Sequence, residues 1–180
     1  MDTNKLKFTT LQNRIFRLLC IKSGQKLNQR EIARILKVTP TGVAKALVML
    51  EKENIITVDK NKVMNLNLIY LNRTQKILKL KQLENLQQIY ELNLVDFLEE
   101  HYLGTTIILF GSFSRGEDIV KSDVDIAIIG SKPKNINLEF FEKSLERQIN
   151  INNYKSFKDI SKELKENLFN GIVLAGGIEL

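Results

Sequence analysis

The chain has 180 residues, of which 43% are hydrophobic and 27% are charged, with only nine glycines and two prolines. This composition supports one or two packed domains and excludes long disordered segments. The net charge of +6 is compatible with an anionic partner such as nucleic acid or nucleotide phosphates, and also with a lysine-rich surface that only promotes solubility.

Cellular location is indicated by three features. Cys20 is the only cysteine, so an intramolecular disulfide is excluded and a reducing interior is favoured. The start of the chain, MDTNKLKF, has neither the apolar core nor the cleavage site of a signal peptide. No apolar run approaches the roughly 20 residues that span a bilayer. We therefore expect a cytoplasmic protein without a membrane partner.

The first part of the chain shows helical periodicity, because apolar residues recur every three or four positions. Asn28 and Thr39 are placed to cap the second and third helices, and Pro40 suits a first helical position. The third helix ends near Asn54, where a left-handed residue is expected. The three helices are predicted over residues 10–22, 29–36 and 40–52.

Two extended segments follow the helices. Residues 55–58 and 63–71 predict strands, and the basic turn at residues 59–62 joins them as a hairpin. Three short helices followed by a basic-tipped hairpin resemble a winged helix-turn-helix domain. The resemblance is closest over the stretch TPTGVAKALVMLEKENII.

The winged helix resemblance implies that the third helix lies in the major groove of DNA and that the hairpin contacts the backbone. The DNA-binding residues that it implies are Thr39, Thr41, Lys45, Lys60 and Lys62. The alternative is a winged helix that serves only dimerisation or protein docking.

Residues 73–95 predict a helical connector. Apolar residues recur there at helical spacing, which predicts an amphipathic helix that covers the following domain. A dimerisation helix is the alternative. A second helix is predicted over residues 95–101, where His101 is expected to be a surface residue or a cap rather than a catalyst. The apolar positions of the first helix are Ile77, Leu80, Leu83, Leu86 and Tyr90.

The stretch GSFSRGEDIVKSDVDIAI, residues 111–128, carries the most specific pattern in the chain. Residues 105–110, just before it, predict a buried strand. A short helix is predicted over residues 113–117, and a second strand over residues 122–129. Backbone N–H groups at such a strand-to-helix turn can hold phosphate oxygens, and the Ser112 hydroxyl adds a donor.

Asp123 and Asp125 stand two positions apart in the predicted second strand, so their carboxylates point to one face, about 6.5 to 7 Å apart along the chain. Val124, Ile126 and Ile128 share the other face. Two carboxylates on one face are unfavourable unless a cation lies between them. Oxygen ligands favour Mg²⁺ or Mn²⁺. The sequence therefore predicts a divalent metal site at Asp123 and Asp125.

This stretch resembles the signature of the DNA polymerase beta-like nucleotidyltransferase superfamily, and most closely the minimal nucleotidyltransferases, over residues 96–180. The resemblance implies that Asp123 and Asp125 are catalytic and hold metal ions that bridge the phosphates of a nucleoside triphosphate such as ATP. An acceptor hydroxyl attacks the α-phosphate, and pyrophosphate leaves. The nucleotide-binding residues that it implies are Gly111, Ser112, Arg115, Lys121 and Ser122.

The chain departs from the family pattern in one respect. The family usually adds a third carboxylate on the following strand, which is predicted here over residues 148–153 with Asn150 at the expected position. Asn can bind a metal through its carbonyl oxygen but cannot act as a base. Either another group such as Glu146 is the base, or catalysis is weak, or nucleotides bind without turnover. The chain ends in a helix capped by Ser156 and a strand over residues 171–175.

The sequence thus predicts an α+β (mixed α/β) chain with a winged helix domain over residues 1–72, a helical connector over 73–95 and a nucleotidyltransferase domain over 96–180. The main hypothesis is a metal-dependent transfer of a nucleoside monophosphate to an unknown acceptor, joined to DNA binding. One alternative is a DNA-binding regulator with a nucleotide-sensing, catalytically weak domain. The family also implies an antitoxin paired with a small helical HEPN-type toxin. A homodimer is compatible with each.

Overall fold

The structure of the chain, a computed structural model, describes residues 8–61 and 66–178. The chain divides into two compact units, residues 1–77 and residues 78–180. No helix in these described ranges is long and apolar enough to cross a membrane.

In its described part, the first unit contains three helices and a three-stranded antiparallel sheet in the order β1-β3-β2. This order of elements is a winged helix fold, as the sequence predicts. The two-residue strand β1 is an addition to the prediction. Residues 59–61, predicted as a turn, extend β2 instead. The elements are α1 Thr10–Ile21, β1 Leu27–Asn28, α2 Gln29–Leu36, α3 Pro40–Lys52, β2 Ile56–Asn61 and β3 Leu66–Leu71.

Local capping explains where the second and third helices begin. The Asn28 side chain accepts hydrogen bonds from the backbone N–H groups of Arg30 and Glu31, and the Glu31 carboxylate accepts one from the Asn28 N–H. Thr39 caps α3 by accepting from the Gly42 N–H at 3.1 Å. These caps satisfy N–H groups that a helix start leaves without partners.

The first unit closes around a core in which Cys20 is fully buried. Asn54 has a φ of +54° at the end of α3, which is the left-handed conformation expected there. The other core residues of this unit with no exposed surface are Ile15, Ile32, Val43, Leu50, Ile55 and Ile69.

The second unit contains a four-stranded sheet in the order β6-β5-β4-β7. Strands β5 and β6 are parallel, whereas β4 is antiparallel to both β5 and β7. The elements are α4 Gln75–Glu91, α5 Leu94–His101, β4 Thr106–Phe110, α6 Gly111–Arg115, β5 Val124–Ile129, α7 Glu139–Leu145, β6 Ile149–Tyr154, a 3₁₀ turn Phe157–Asp159, α8 Lys162–Phe169 and β7 Ile172–Ala175. Most of α4 therefore belongs to this unit.

Apolar side chains cover both faces of this sheet, because successive residues of a strand point to opposite sides. Val124, Ile126 and Ile128 pack with α5 and α7 on one face, as predicted. Ala127 and Ile129 pack with α8 on the other. The inner strands β4 and β5 are therefore buried between two helical layers, whereas the edge strand β6 carries Asn150, Asn152 and Asn153.

Three local predictions for the second unit differ from the structure. Helix α6 begins at Gly111, two residues earlier than predicted. The predicted last helix is divided into the 3₁₀ turn and α8, and Ser161 rather than Ser156 caps α8 by accepting from the Leu164 N–H. His101 ends α5, with its Nδ1 2.8 Å from the Phe97 carbonyl oxygen, which agrees with a cap.

The buried face of α4 agrees only in part with the predicted apolar face, since Ile77 is buried and Leu86 packs against the core of the second unit. Leu83 and Tyr90 are 64% and 49% exposed, whereas Lys81 and Asn85 are 1% and 2% exposed. The polar side chains are buried because they have hydrogen-bond partners elsewhere in the second unit.

Candidate functional site

Two aspartates and one asparagine meet where β5 and β6 begin. Asp123 immediately precedes β5, and Asp125 is its second residue. In the parallel ladder Asp125 stands beside Asn150, the second residue of β6. The Asn150 side-chain amide donates to Asp123 Oδ2 at 3.2 Å and to Asp125 Oδ1 at 3.3 Å. The two carboxylates thus converge on one point, which the side-chain amide nitrogen of Asn150 occupies.

Gly111 brings the end of β4 against this pair. Phe110 is the ladder partner of Asp125, and Gly111 follows it with a φ of +75°. A Cβ atom at Gly111 would lie 2.5 Å from Asp125 Oδ2. The left-handed backbone favours glycine here, and any larger residue would displace the Asp125 carboxylate. The N-terminus of α6, with Ser112 half-buried, therefore adjoins the Asp125 carboxylate.

Two of the other residues predicted to bind nucleotide, Arg115 and Ser122, have local partners. Arg115 Nε donates to Glu117 Oε2 at 2.8 Å. The Ser122 hydroxyl accepts from the Ile119 N–H at 3.0 Å. Lys121 is exposed and lines a cleft of about 450 Å³ together with Ser122 and Asp123. The structure therefore gathers Asp123, Asp125, Asn150 and Gly111, and leaves Arg115 and Lys121 at the periphery.

Glu146 lies in the same cleft as Asp123. It follows α7 with a φ of +53° and is exposed. The sequence points to Glu146 only because it precedes the predicted strand. Its place in the cleft is a structural observation that spacing alone does not provide.

A divalent cation fits the donor set of this site. The two carboxylates already bracket a hydrogen-bond donor, which is the position that a cation would take between them. Among residues 8–61 and 66–178, no group of three or more His, Cys, Asp or Glu side chains is close enough together to hold a metal ion. Other ligands would therefore be the Asn150 amide oxygen, water or phosphate oxygens of a substrate.

A buried polar cluster, which the sequence does not predict, lies in the second unit around Asp118. Asp118, in the segment between α6 and β5, is 1% exposed and contacts Lys81, Asn85 and Arg147. Periodicity could not reveal this cluster, because Lys and Asn on a helix predict a solvent-facing side. The nearest signal is the position of Asp118 within the motif, midway between Ser112 and Asp123.

The residues predicted to contact DNA are only partly described. Thr39, Thr41 and Lys45 are exposed at the start of α3, beside Val48, which is 68% exposed. The side chain of Lys60 and the whole of Lys62 lie outside the described residues.

Charge is distributed unequally between the two units. Residues 1–77 contain fifteen Lys and Arg against five Asp and Glu, a net charge of +10. Residues 78–180 contain twelve against sixteen, a net charge of −4. The winged helix unit therefore carries all of the positive excess of the chain.

Comparison with protein families identifies the second unit. Residues 91–174 match the family model described as "Nucleotidyltransferase domain". This match includes both aspartates, Asn150 and the Gly111 turn. The chain therefore carries a nucleotidyltransferase domain, joined to an N-terminal winged helix domain. The comparison with curated proteins found no significant match.

Several solved structures resemble part of the chain at low similarity. A variant of ZitR from Lactococcus lactis matches at 22% identity and a TM-score of 0.43, over 57% of this chain and 67% of that one. The adhesin competence repressor AdcR from Streptococcus pyogenes matches at 20% identity and a TM-score of 0.44, over 57% and 72%. Wild-type ZitR in complex with DNA matches at 23% identity and a TM-score of 0.42, over 57% and 67%. Because these TM-scores are low, the first unit is assigned as a winged helix from its own helices and strands alone.

Proposed function

We propose that the second unit is a nucleotidyltransferase that binds a nucleoside triphosphate with Mg²⁺ or Mn²⁺ and transfers the nucleoside monophosphate to an acceptor. The observation that supports this most directly is the convergence of Asp123 and Asp125 on one point next to Gly111. Neither packing nor solubility requires two carboxylates at this point.

Each side chain has a role in this proposal. Asp123 and Asp125 hold the cation, which when bound supplies positive charge to the phosphates and to the leaving pyrophosphate. The Ser112 N–H and hydroxyl donate to phosphate oxygens at the start of α6. Arg115 and Lys121 contact the same phosphates from the edge of the site. The Arg115 side chain gives up its hydrogen bond to Glu117 and donates to phosphate instead. Ser122 holds the turn that precedes Asp123.

The base that takes the proton of the attacking hydroxyl must come from another residue. The Asn150 amide has no basic atom, so it cannot take that proton. Glu146 lies in the cleft that Asp123 lines, and we assign this role to it. Asn150 instead holds the two aspartates together before nucleotide binds.

Transfer is tested by incubating the purified chain with each α-labelled nucleoside triphosphate, Mg²⁺ or Mn²⁺, and RNA, DNA or protein acceptors. We expect label on an acceptor with the natural chain and loss of transfer with Asp125→Asn. Asp159→Asn, an exposed carboxylate of the same unit, is the matched control. Metal-independent transfer, or equal transfer by Asp125→Asn, would contradict the assignment.

We also propose that the first unit binds DNA. Its net charge of +10 supports this, as do the exposed Thr39, Thr41 and Lys45 at the start of α3. Fluorescence anisotropy of the full chain on duplex DNA over a range of salt concentrations tests the proposal. We expect binding that weakens steeply with salt, and binding that salt leaves unchanged would contradict it.

Asn150 favours a second candidate function, a DNA-binding regulator that senses a nucleotide without turnover. Its amide occupies the position where the family places a carboxylate and neutralises none of a cation's charge. The variant Asn150→Asp separates the two functions. If only this variant transfers nucleotide, the natural domain is a sensor, whereas transfer by the natural chain excludes that reading.

A further inference from the structure

The polar cluster of Asp118, Lys81, Asn85 and Arg147, called here the Asp118 cluster, is almost completely buried. Asp118 Oδ1 accepts from the Lys81 ammonium and, at 2.7 Å, from Asn85 Nδ2. Asp118 Oδ2 lies 3.4 Å from Arg147 Nη2. The side chains of Asp118, Lys81 and Arg147 are each 1% exposed. The Asp118 carboxylate thus connects helix α4, the loop between α6 and β5, and the segment just before β6.

The Asp118 cluster reaches both sides of the candidate site. Asn85 Nδ2 also donates to the Phe113 carbonyl oxygen at 2.9 Å, which ties α4 to α6 next to Ser112. Arg147 stands three residues before Asn150 in the sequence. The Phe113 contact fixes the proposed phosphate-binding turn, and the Arg147 contact fixes the segment that delivers Asn150.

Glycine at position 116 shows how closely α4 approaches this loop. A Cβ atom at Gly116 would lie 2.2 Å from the Leu78 carbonyl oxygen and 2.7 Å from the Gln82 N–H nitrogen. Gln82 Nε2 also donates to the Ser114 carbonyl oxygen at 2.7 Å. Helix α4 is therefore held in one position against residues 114–118. The backbones are in contact at Gly116, and side chains of α4 bond to Ser114 and Asp118.

Buried charges are a costly means of holding a fold together. Their removal from water offsets much of their attraction, and apolar residues of similar size often stabilise a protein as well or better. Charged groups with fixed hydrogen-bond directions do, however, specify one arrangement more sharply than apolar contacts do. The Asp118 cluster is therefore better suited to positioning than to stability.

We propose that Asp118 is a positioning residue for the site. It holds the Ser112 turn and the segment that leads to Asn150 in the arrangement that binds the metal–nucleotide complex. This inference rests on the proposed nucleotidyltransferase function, and its test separates the two. Asp118 itself contacts neither nucleotide nor cation; it acts through α6 and the segment before β6.

The test compares Asp118→Asn with the natural chain in two measurements. We expect the dissociation constants for the Mg²⁺ complexes of the four nucleoside triphosphates to rise about tenfold, as on loss of a residue that orients metal ligands. We also expect faster amide hydrogen exchange confined to residues 111–115 and to the start of β6. Asp159→Asn is the matched control and should change neither. Binding is measured well below the melting temperature of each variant, so that only folded protein is compared.

Each outcome decides the inference. A lower melting temperature with unchanged affinity and unchanged exchange in residues 111–115 means that Asp118 is only structural, and the inference is wrong. If the natural chain binds no nucleotide, the proposed function fails, and exchange alone decides whether Asp118 orders the turn. If Asp118→Asn does not fold, Asn85→Leu replaces it, because it removes the donor to Phe113 while preserving side-chain size. Asn85→Leu with natural affinity and natural exchange overturns the inference.

Discussion

A Cβ atom added to Gly111 would lie 2.5 Å from the Asp125 carboxylate oxygen, so the turn and the aspartate pair form one packed unit. Because Phe110 and Asp125 are also ladder partners, neither segment can move without the other. The close contact at Gly111 therefore holds the proposed phosphate-binding turn and the proposed metal-binding carboxylates at a fixed separation.

Gly111→Ala is expected to damage the site more than the fold. The left-handed backbone costs about 1–2 kcal/mol for an alanine, and the added methyl displaces the Asp125 carboxylate. Affinity for the Mg²⁺–nucleotide complex should therefore fall to the level of Asp125→Asn. Calorimetric titration and thermal melting check both effects. The control is Gly177→Ala, which meets no atom within 4 Å; equal behaviour of the two variants would contradict the close-packed interpretation.

Asn150→Asp is expected to make stability depend on the cation. The substitution replaces a donor shared by two carboxylates with a third carboxylate, which should destabilise the metal-free chain by about 1–3 kcal/mol. Mg²⁺ should then raise the melting temperature of the variant by more than that of the natural chain. Melting curves with and without chelator provide the measurement, and an equal response of both chains would contradict a shared cation position.

Lys81→Met is expected to be strongly destabilising although it adds apolar surface. Removing one partner of a buried ion pair typically costs about 3–5 kcal/mol, because the remaining charge stays in the interior. Lys79→Met, on the exposed side of the same helix, should change stability by less than about 0.5 kcal/mol. Urea unfolding of the two variants measures this difference. Similar stabilities would mean that the pair with Asp118 does not form.

Lys45→Ala is expected to weaken DNA binding without regard to sequence. Loss of one phosphate contact should lower the slope of log affinity against log salt by about one. Lys132→Ala removes the same charge from the second unit and is the control. Binding isotherms at several salt concentrations give both slopes. A slope that changes equally in the two variants would mean that net charge, rather than α3, is responsible.

Several elements of the fold follow directly from the sequence. Asn28 and Thr39 mark helix starts because their side chains satisfy N–H groups that the helix leaves without partners. The aspartate pair and its apolar neighbours follow from strand alternation. The family resemblance implies a role for Asn150 next to the aspartates, and the ladder register sets Asn150 beside Asp125.

Other features depend on partners that are distant in sequence. The face of α4 that is buried carries Lys81 and Asn85, since Asp118 and the Phe113 carbonyl provide partners that no periodicity contains. Leu83 and Tyr90, which periodicity predicts as buried, are exposed for the same reason. Burial of a polar side chain can be predicted only when its partner is known.

The residues of the site come from strand pairings of different sequence separation, because the chain between β5 and β6 is longer than the chain between β4 and β5. Strands β4 and β5 are neighbours in sequence and pair antiparallel, so the Gly111 turn and the aspartates can meet early in folding. Asn150 is 27 residues from Asp123 and joins only after the chain has crossed over through α7. The two carboxylates are therefore set side by side by the local pairing of β4 with β5, whereas their amide partner depends on the long-range pairing of β5 with β6.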